Sequence, residues 1–280
     1  QSVSLPEKNV LAVLEANPLE YKLTGADEVR RALREPIGAA PLRETVHAGE
    51  TVAIVTSDIT RPCPTWKMLP PVLEELFAAG VRPEDITVTF ALGSHRAHTE
   101  EEHKKLMGES YGFVACRDSD GLNCTHLGVT KRGTPVDIDA AVASADRRIC
   151  FGNIEYHYFA GYSGGAKAIM PGVSTREAIQ SNHSRMVEAA ACAGKLTGNS
   201  VREDIEEAAA ICGVDYIINV VLDAHKEIVY AAAGDVTKAH REGCRFLDGL
   251  YRKTIPRRAD IVLVSQGGAP KDLNLYQVQK

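Results

Sequence analysis

VAIVT at residues 52–56 runs into the polar loop Ser57-Asp58-Ile59-Thr60-Arg61-Pro62. It is followed at residues 64–79 by PTWKMLPPVLEELFAA, whose apolar positions recur at helical spacing. A β-branched run, a polar loop and an amphipathic segment make one strand–loop–helix unit. The unit repeats at once. Residues 85–92 (DITVTFAL) predict a strand, residues 93–98 a loop, and Thr99 with Glu102 three positions on is a capping box that opens a helix. This alternation is the signature of an α/β fold, and we expect a large N-terminal α/β domain built on a parallel-type sheet.

Working outward, residues 148–152 (RICFG) predict another strand. It enters a polar, glycine-rich stretch, residues 153–172, too long for a plain connection. Helical segments are expected over 175–191, over a helix capped by Ser200 and Glu203, and over 236–251. Strands are expected at 214–222 and at 260–265 (DIVLVS). The last strand, followed by residues 271–280 as the opening turns of a helix, begins a new α/β unit. We therefore divide the chain into 1–257 and 258–280, the second part being the start of a C-terminal domain that is incomplete.

The bulk properties narrow the function. Of 280 residues 44% are apolar, enough for a full enzyme-sized core. The 37 acidic and 32 basic residues give a formal charge of −5 spread along the chain, which argues against nucleic acid as partner. Seven cysteines, odd in number and without a CxxC pair, argue against a disulfide framework or a zinc knuckle. With no apolar run of eighteen residues and no signal pattern, the expected setting is the cytoplasm, away from the membrane.

Four segments carry candidate chemistry. The loop of Asp58, Ile59, Thr60 and Arg61 follows a strand and precedes a helix, the edge of an α/β sheet where ligands bind. Arg61 can fork onto a phosphate or carboxylate and Asp58 can accept from ribose hydroxyls, although a capped turn with a surface ion pair would look the same. Gly93-Ser94-His95-Arg96-Ala97-His98 occupies the matching edge of the next strand, with His95 suited to moving protons near neutral pH. His95 and His98 also read as a metal pair, but without a carboxylate partner, and a solvated loop histidine is the plainer alternative.

The richest segment is residues 155–172, EYHYFAGYSGGAKAIMPG. Its glycines permit close backbone approach to a ligand, and Lys167 sits among small apolar neighbours that would make its amine a nucleophile. A phosphate-contacting lysine fits the pattern equally well, though not a Walker motif. Finally His183, in Ser181-Asn182-His183-Ser184, is able to ligate a borderline metal such as nickel, zinc or copper. One protein ligand leaves most of a coordination sphere to be filled by a cofactor. The other histidines (His47, His103, His126, His225, His240) read as surface residues.

Taken in order, SDITRP from Ser57, GSHRAHTEEE from Gly93, HYFAGYSGGAKAIMPG from His157, the Asn182-His183 pair and PKDLNLYQVQK from Pro270 resemble the nickel-dependent lactate racemase family over nearly the whole chain. The resemblance implies a racemase or epimerase of a small α-hydroxy acid. Its cofactor would be nickel in a pyridinium-3-thioamide-5-thiocarboxylate mononucleotide bound covalently to Lys167, with His183 as metal ligand. It further implies His95 and His157 as the acid/base pair, and Asp58, Ile59, Thr60, Arg61 and Tyr276 around the cofactor. Arg61, Gln277 and Lys280 would meet the substrate, and cofactor-maturation enzymes would act as partners. On that reading 1–257 is the cofactor-binding catalytic domain. A non-catalytic nickel or nucleotide carrier, or another hydroxy-acid epimerase or dehydrogenase, would share many of these features; no GxGxxG follows a strand to support a nicotinamide enzyme.

Overall fold

Strand β1 (Val52–Ser57) lies inside a six-stranded sheet of order β10-β9-β6-β1-β2-β3 in the computed structural model, which describes residues 4–264. The strands are β2 (Ile86–Ala91), β3 (Ala115–Asp118), β6 (Arg147–Asn153), β9 (Tyr216–Leu222) and β10 (Ile228–Gly234). Two small ribbons stand outside the sheet, β4 (Cys124–Val129) with β5 (Pro135–Asp139), and β7 (Tyr156–His157) with β8 (Gly161–Tyr162). Pairing is parallel from β9 through β3, and β10 alone runs antiparallel, against β9.

The pleat of β1 explains the layering. Val52 and Ile54 fall in one core with residues of α1 (Gly25–Arg34), α2 (Leu42–Thr45) and α3 (Thr65–Ala78). Ala53 and Val55 point the other way, into a core shared with α5 (Ala140–Ser144), α6 (Arg176–His183), α7 (Ser200–Cys212) and Ala239 of α8 (Lys238–Tyr251). A strand buried on both faces is largely apolar, which is why VAIVT shows no alternation. Helix α4 (Glu100–Met107) opens with the expected capping box, Thr99 accepting from Glu102 N–H while the Glu102 carboxylate accepts from Thr99 N–H.

Several expectations change. The 260–264 part of the expected last strand joins no ladder among the described residues, and Ile261, Val262, Leu263 and Val264 are exposed. An apolar run becomes a strand only where an edge offers it hydrogen bonds. The helix over 175–191 ends at His183 in a 3-10 turn, Ser184–Val187. Ser181, Asn182, His183 and Ser184 are weak helix formers. The cap of α7 is Asn199, one residue before Ser200, its side chain accepting from Arg202 N–H. His240, expected at the surface, is buried on α8. Among the described residues no helix is long and apolar enough to cross a membrane.

Candidate active site

From β1 the chain builds to one side through β2 and β3, then returns to the other side with β6 and β9. Loops diverge at such a switch point and leave a crevice beyond the carboxyl ends of the strands. A cleft of about 320 Å³ lies there, lined by Asp58, Thr60 and Arg61 after β1, His95 after β2, and His157, Lys167 and His183 from the chain after β6. Four segments far apart in sequence thus share one small-molecule-sized cavity. Ile59 does not line it: its side chain packs on the core. Tyr276, Gln277 and Lys280 lie outside the described residues.

Asp58 is buried, and its Oδ2 lies 2.8 Å from His95 Nδ1. A carboxylate only accepts, so His95 Nδ1 carries a proton, and in the neutral ring Nε2 carries the lone pair. Thr60 Oγ1 donates to the other oxygen, Asp58 Oδ1, at 2.9 Å. Burial would push this carboxyl up. The hydrogen bond and charge of His95, the Thr60 hydroxyl and the nearby Arg61 outweigh it and hold Asp58 below the ordinary aspartate range. The carboxylate–histidine pair therefore stays assembled near neutral pH, with one ring nitrogen left to exchange a proton. The alternative reading of His95 and His98 as a metal pair finds no support in the geometry. His98 turns away to bond Asp118, so the two histidines serve different carboxylates.

The long stretch after β6 is folded by its own ribbon and by glycines. Gly164 and Gly165 have φ of +72° and +60°. A Cβ on Gly164 would meet Asn219 Oδ1 at 2.5 Å, and one on Gly165 would meet the His240 ring at 2.8 Å. Only glycine satisfies both the left-handed backbone and the contact. Asn219 Oδ1 accepts from Gly165 N–H at 2.6 Å, which starts the 3-10 turn Gly165–Ala168 that carries Lys167. The Lys167 ammonium stands 5.8 Å from the Phe159 ring centroid, within cation–π range. His157, buried at the cleft wall, accepts Ala160 N–H on Nδ1 at 3.2 Å and stacks on Tyr158. Its neutral form then keeps the proton on Nε2.

His183 closes the last turn of α6, edge-on to Phe159. Its Nδ1 lies 3.1 Å from Asn182 Oδ1, while Asn182 Nδ2 donates to Asp204 and to Val201 O. The Asn182 amide is thereby oriented oxygen-first toward the ring, so Nδ1 donates and Nε2 holds the lone pair. Burial and then the Lys167 charge push His183 down to about 4. A neutral imidazole with a fixed tautomer suits a borderline metal ion.

Sequence reasoning missed the residues behind this wall. Fully buried Arg202 donates to the carbonyls of Ala160, Tyr162 and Gly164, and Asn199 Nδ2 donates to Phe159 O at 2.8 Å. Asp204, also fully buried, accepts from Thr130, Thr134 and Asn182. One helix, α7, therefore braces both the Lys167 loop and the His183 turn. A signal existed: Arg202, Asp204 and Ser200 fall where the inward face of an amphipathic helix should be apolar.

Comparison with known proteins bears on this site. A family model described as the lactate racemase N-terminal domain matches residues 1–194. The lactate racemase of Thermoanaerobacterium thermosaccharolyticum is 34% identical over 284 residues, covering 99% of this chain and 66% of that protein. The lactate racemase of Lactiplantibacillus plantarum is 35% identical over 276 residues, covering 96% and 64%. The chain thus spans just under two thirds of the length of these curated relatives. The structure of the T. thermosaccharolyticum lactate racemase apoprotein superimposes with a TM-score of 0.88 at 33% identity, covering 99% of this chain and 66% of that one. A Thermotoga maritima protein of known crystal structure matches with a TM-score of 0.68 at 20% identity over 85% of this chain and 61% of its own, a likeness of fold alone.

Proposed function

This chain belongs to the lactate racemase family, and on that premise we propose that it carries the acid/base pair and the prosthetic-group site of a racemase for a small, lactate-like α-hydroxy acid. The observation that supports this reading is the convergence of His95, His157, Lys167 and His183 on one cleft at the switch point of the sheet. In the proposal residues 1–257 form the cofactor-binding catalytic domain.

The residues fit a tethered nickel-pincer nucleotide. His183 is held neutral with its lone pair on Nε2, the Lys167 amine reaches the same cleft, and Asn153, which also lines it, has a buried Oδ1 with no hydrogen-bond partner. Lys167 would hold the group covalently, His183 would ligate its nickel, and the Asp58–Arg61 loop would flank its nucleotide. The chemistry such a group supplies when bound is reversible hydride acceptance, which leaves the hydroxyl proton to the protein. His95 takes or returns that proton from the β2 side of the cleft, steadied by Asp58, and His157 does so from the β6 side. Each would be a base in one direction and an acid in the other; His157 presents Nε2–H here, and to act as a base it must release the Ala160 N–H from Nδ1. Arg61 orients the substrate carboxylate. Maturation enzymes outside this chain load the group.

The test is intact mass and nickel content of full-length protein produced with those maturation enzymes, wild type against Lys167→Ala. It is paired with interconversion of the lactate enantiomers by wild type, His95→Ala and His157→Ala. A mass increment with one nickel per chain, absent in K167A, and interconversion abolished in both histidine variants support the reading. Full activity in both histidine variants, or matured wild type without adduct or metal, refutes it.

A further inference from the structure

His98 is 1% exposed at its side chain and joins the loop after β2 to the loop after β1. Its Nδ1 is 2.5 Å from Asp118 Oδ1, its backbone N–H donates to Asp118 Oδ2 at 2.7 Å, and its Nε2 accepts the Ile59 N–H at 3.0 Å. His103 Nε2 approaches the same Asp118 Oδ1 at 2.9 Å. Phe90 stacks on His103 and meets His98 edge-on, so both rings are held by packing as well.

The hydrogen bonds decide the protonation. A carboxylate oxygen only accepts, so His98 Nδ1 carries a proton; a backbone N–H only donates, so Nε2 carries a lone pair. The ring is neutral and confined to one tautomer. His98, His103 and Asp118 also place one potential ligand atom each within 4.8 Å of one another, as in a metal site. A metal on Nδ1 would need that nitrogen's proton removed while Nε2 still served Ile59, a demand on an imidazole that a hydrogen-bonded clamp does not make. The clamp also lies next to the proposed machinery. Ile59 follows Asp58, His98 follows His95 by three residues, and Asp58 binds His95. The β1 and β2 loops are therefore stitched twice.

We propose that His98 is a positioning residue: a neutral ring, anchored by Asp118, that holds the Ile59 N–H and so keeps the Asp58 carboxylate in register with His95. The structural half of this proposal stands alone; its catalytic half rests on the racemase reading.

His98→Phe in the full-length holoprotein keeps the ring and its packing and removes both nitrogens. Amide hydrogen exchange resolved at Ile59 should speed up by roughly tenfold or more, with β1 amides unchanged, because only a local opening is made easier. The kcat for lactate interconversion should fall by about tenfold to a hundredfold with KM little changed, the effect of misplacing a proton-transfer group. His98→Ala provides a second route. Imidazole, which both donates and accepts, should restore Ile59 protection and kcat, whereas 1-methylimidazole, which only accepts, should not.

Wild-type exchange at Ile59 in H98F would overturn the proposal, as would loss of kcat with Ile59 still protected. Equal rescue by the two azoles would reduce His98 to packing and overturn it too. If matured wild type does not interconvert lactate, the racemase reading fails, and the exchange measurements still judge the clamp.

Discussion

Asp204, which has no exposed surface, lies 2.8 Å from Asn182 Nδ2, and through that one amide it sets which nitrogen of His183 faces the cleft. Asp204→Ala would take the carboxylate acceptor from the Thr130 and Thr134 hydroxyls and leave the Asn182 amide with Val201 O alone. We expect a loss of about 3 kcal/mol in urea denaturation, since unsatisfied buried donors cost more than the bonds themselves contribute. Because a metal ligand depends on the group behind it, nickel affinity of the unloaded protein should fall by about tenfold or more, measured by calorimetric titration. Unchanged affinity in a folded variant would dissociate Asp204 from the ligand.

Asp58→Asn preserves shape and removes the charge that fixes the His95 tautomer. Turnover should fall by about a hundredfold or more, the range seen when an orienting carboxylate is neutralised. The readout is kcat in both directions with stability measured alongside. A variant within threefold of wild type would show that His95 does not need its partner.

Stability should respond to pH through His240. Its ring is held well below the ordinary histidine value, first by burial and then by the Arg202 charge, with the Ser163 carbonyl opposing and Arg241 adding a little. The native state therefore resists protonation while the unfolded chain takes up a proton near pH 6.5. Stability is full above that value and declines as the pH falls below it, by at most about 1.4 kcal/mol per pH unit for this one group. Denaturation midpoints between pH 8 and 5, wild type against His240→Gln, should show a shallower acid slope in the variant. Parallel slopes would remove His240 from the account.

Gly165→Ala places a Cβ 2.8 Å from the His240 ring on a backbone at φ +60°. The left-handed conformation alone costs roughly 1–2 kcal/mol, and the contact adds to it. We expect a lower melting temperature and a smaller fraction of protein carrying the mass adduct after maturation. An adduct yield equal to wild type would mean that the Lys167 turn tolerates displacement.

How much of this was legible beforehand follows from the kind of signal involved. Residues 52–56 and 85–92 could be read because their β-branched runs hold few polar residues, and those mostly threonines that suit a strand, and Thr99 with Glu102 because capping is local chemistry. The antiparallel edge strand β10, IVYAAAG, was missed because its alanines signal helix as readily as strand and its pairing with β9 is decided by tertiary contact. His95, His157, Lys167 and His183 stood out by residue type in glycine-rich or polar loops. Arg202 and Asp204 did not, and His98 was read only as half of a possible metal pair, since what they do depends on carbonyls, amides and hydroxyls up to 74 positions away. The run at 260–264 pairs with no strand among the described residues, since apolar sequence states a preference for burial and says nothing of where a partner edge lies.

The placement of α7 divides the cleft into two kinds of wall. The loops at Ser57–Pro62 and Gly93–His98 hang from strand ends and are tied to each other by side chains near their tips, whereas the wall bearing Lys167 and His183 is bolted from behind by one rigid helix. An engineer seeking a broader or different acid would exchange residues in the hanging loops but spare Gly93, whose N–H donates to Gly172 O at 2.9 Å and ties the β2 loop to the anchoring wall. On the proposed reading, changes to the inward face of α7 would loosen tether and ligand together, while changes in the hanging loops would bear on the substrate and on the nucleotide they flank.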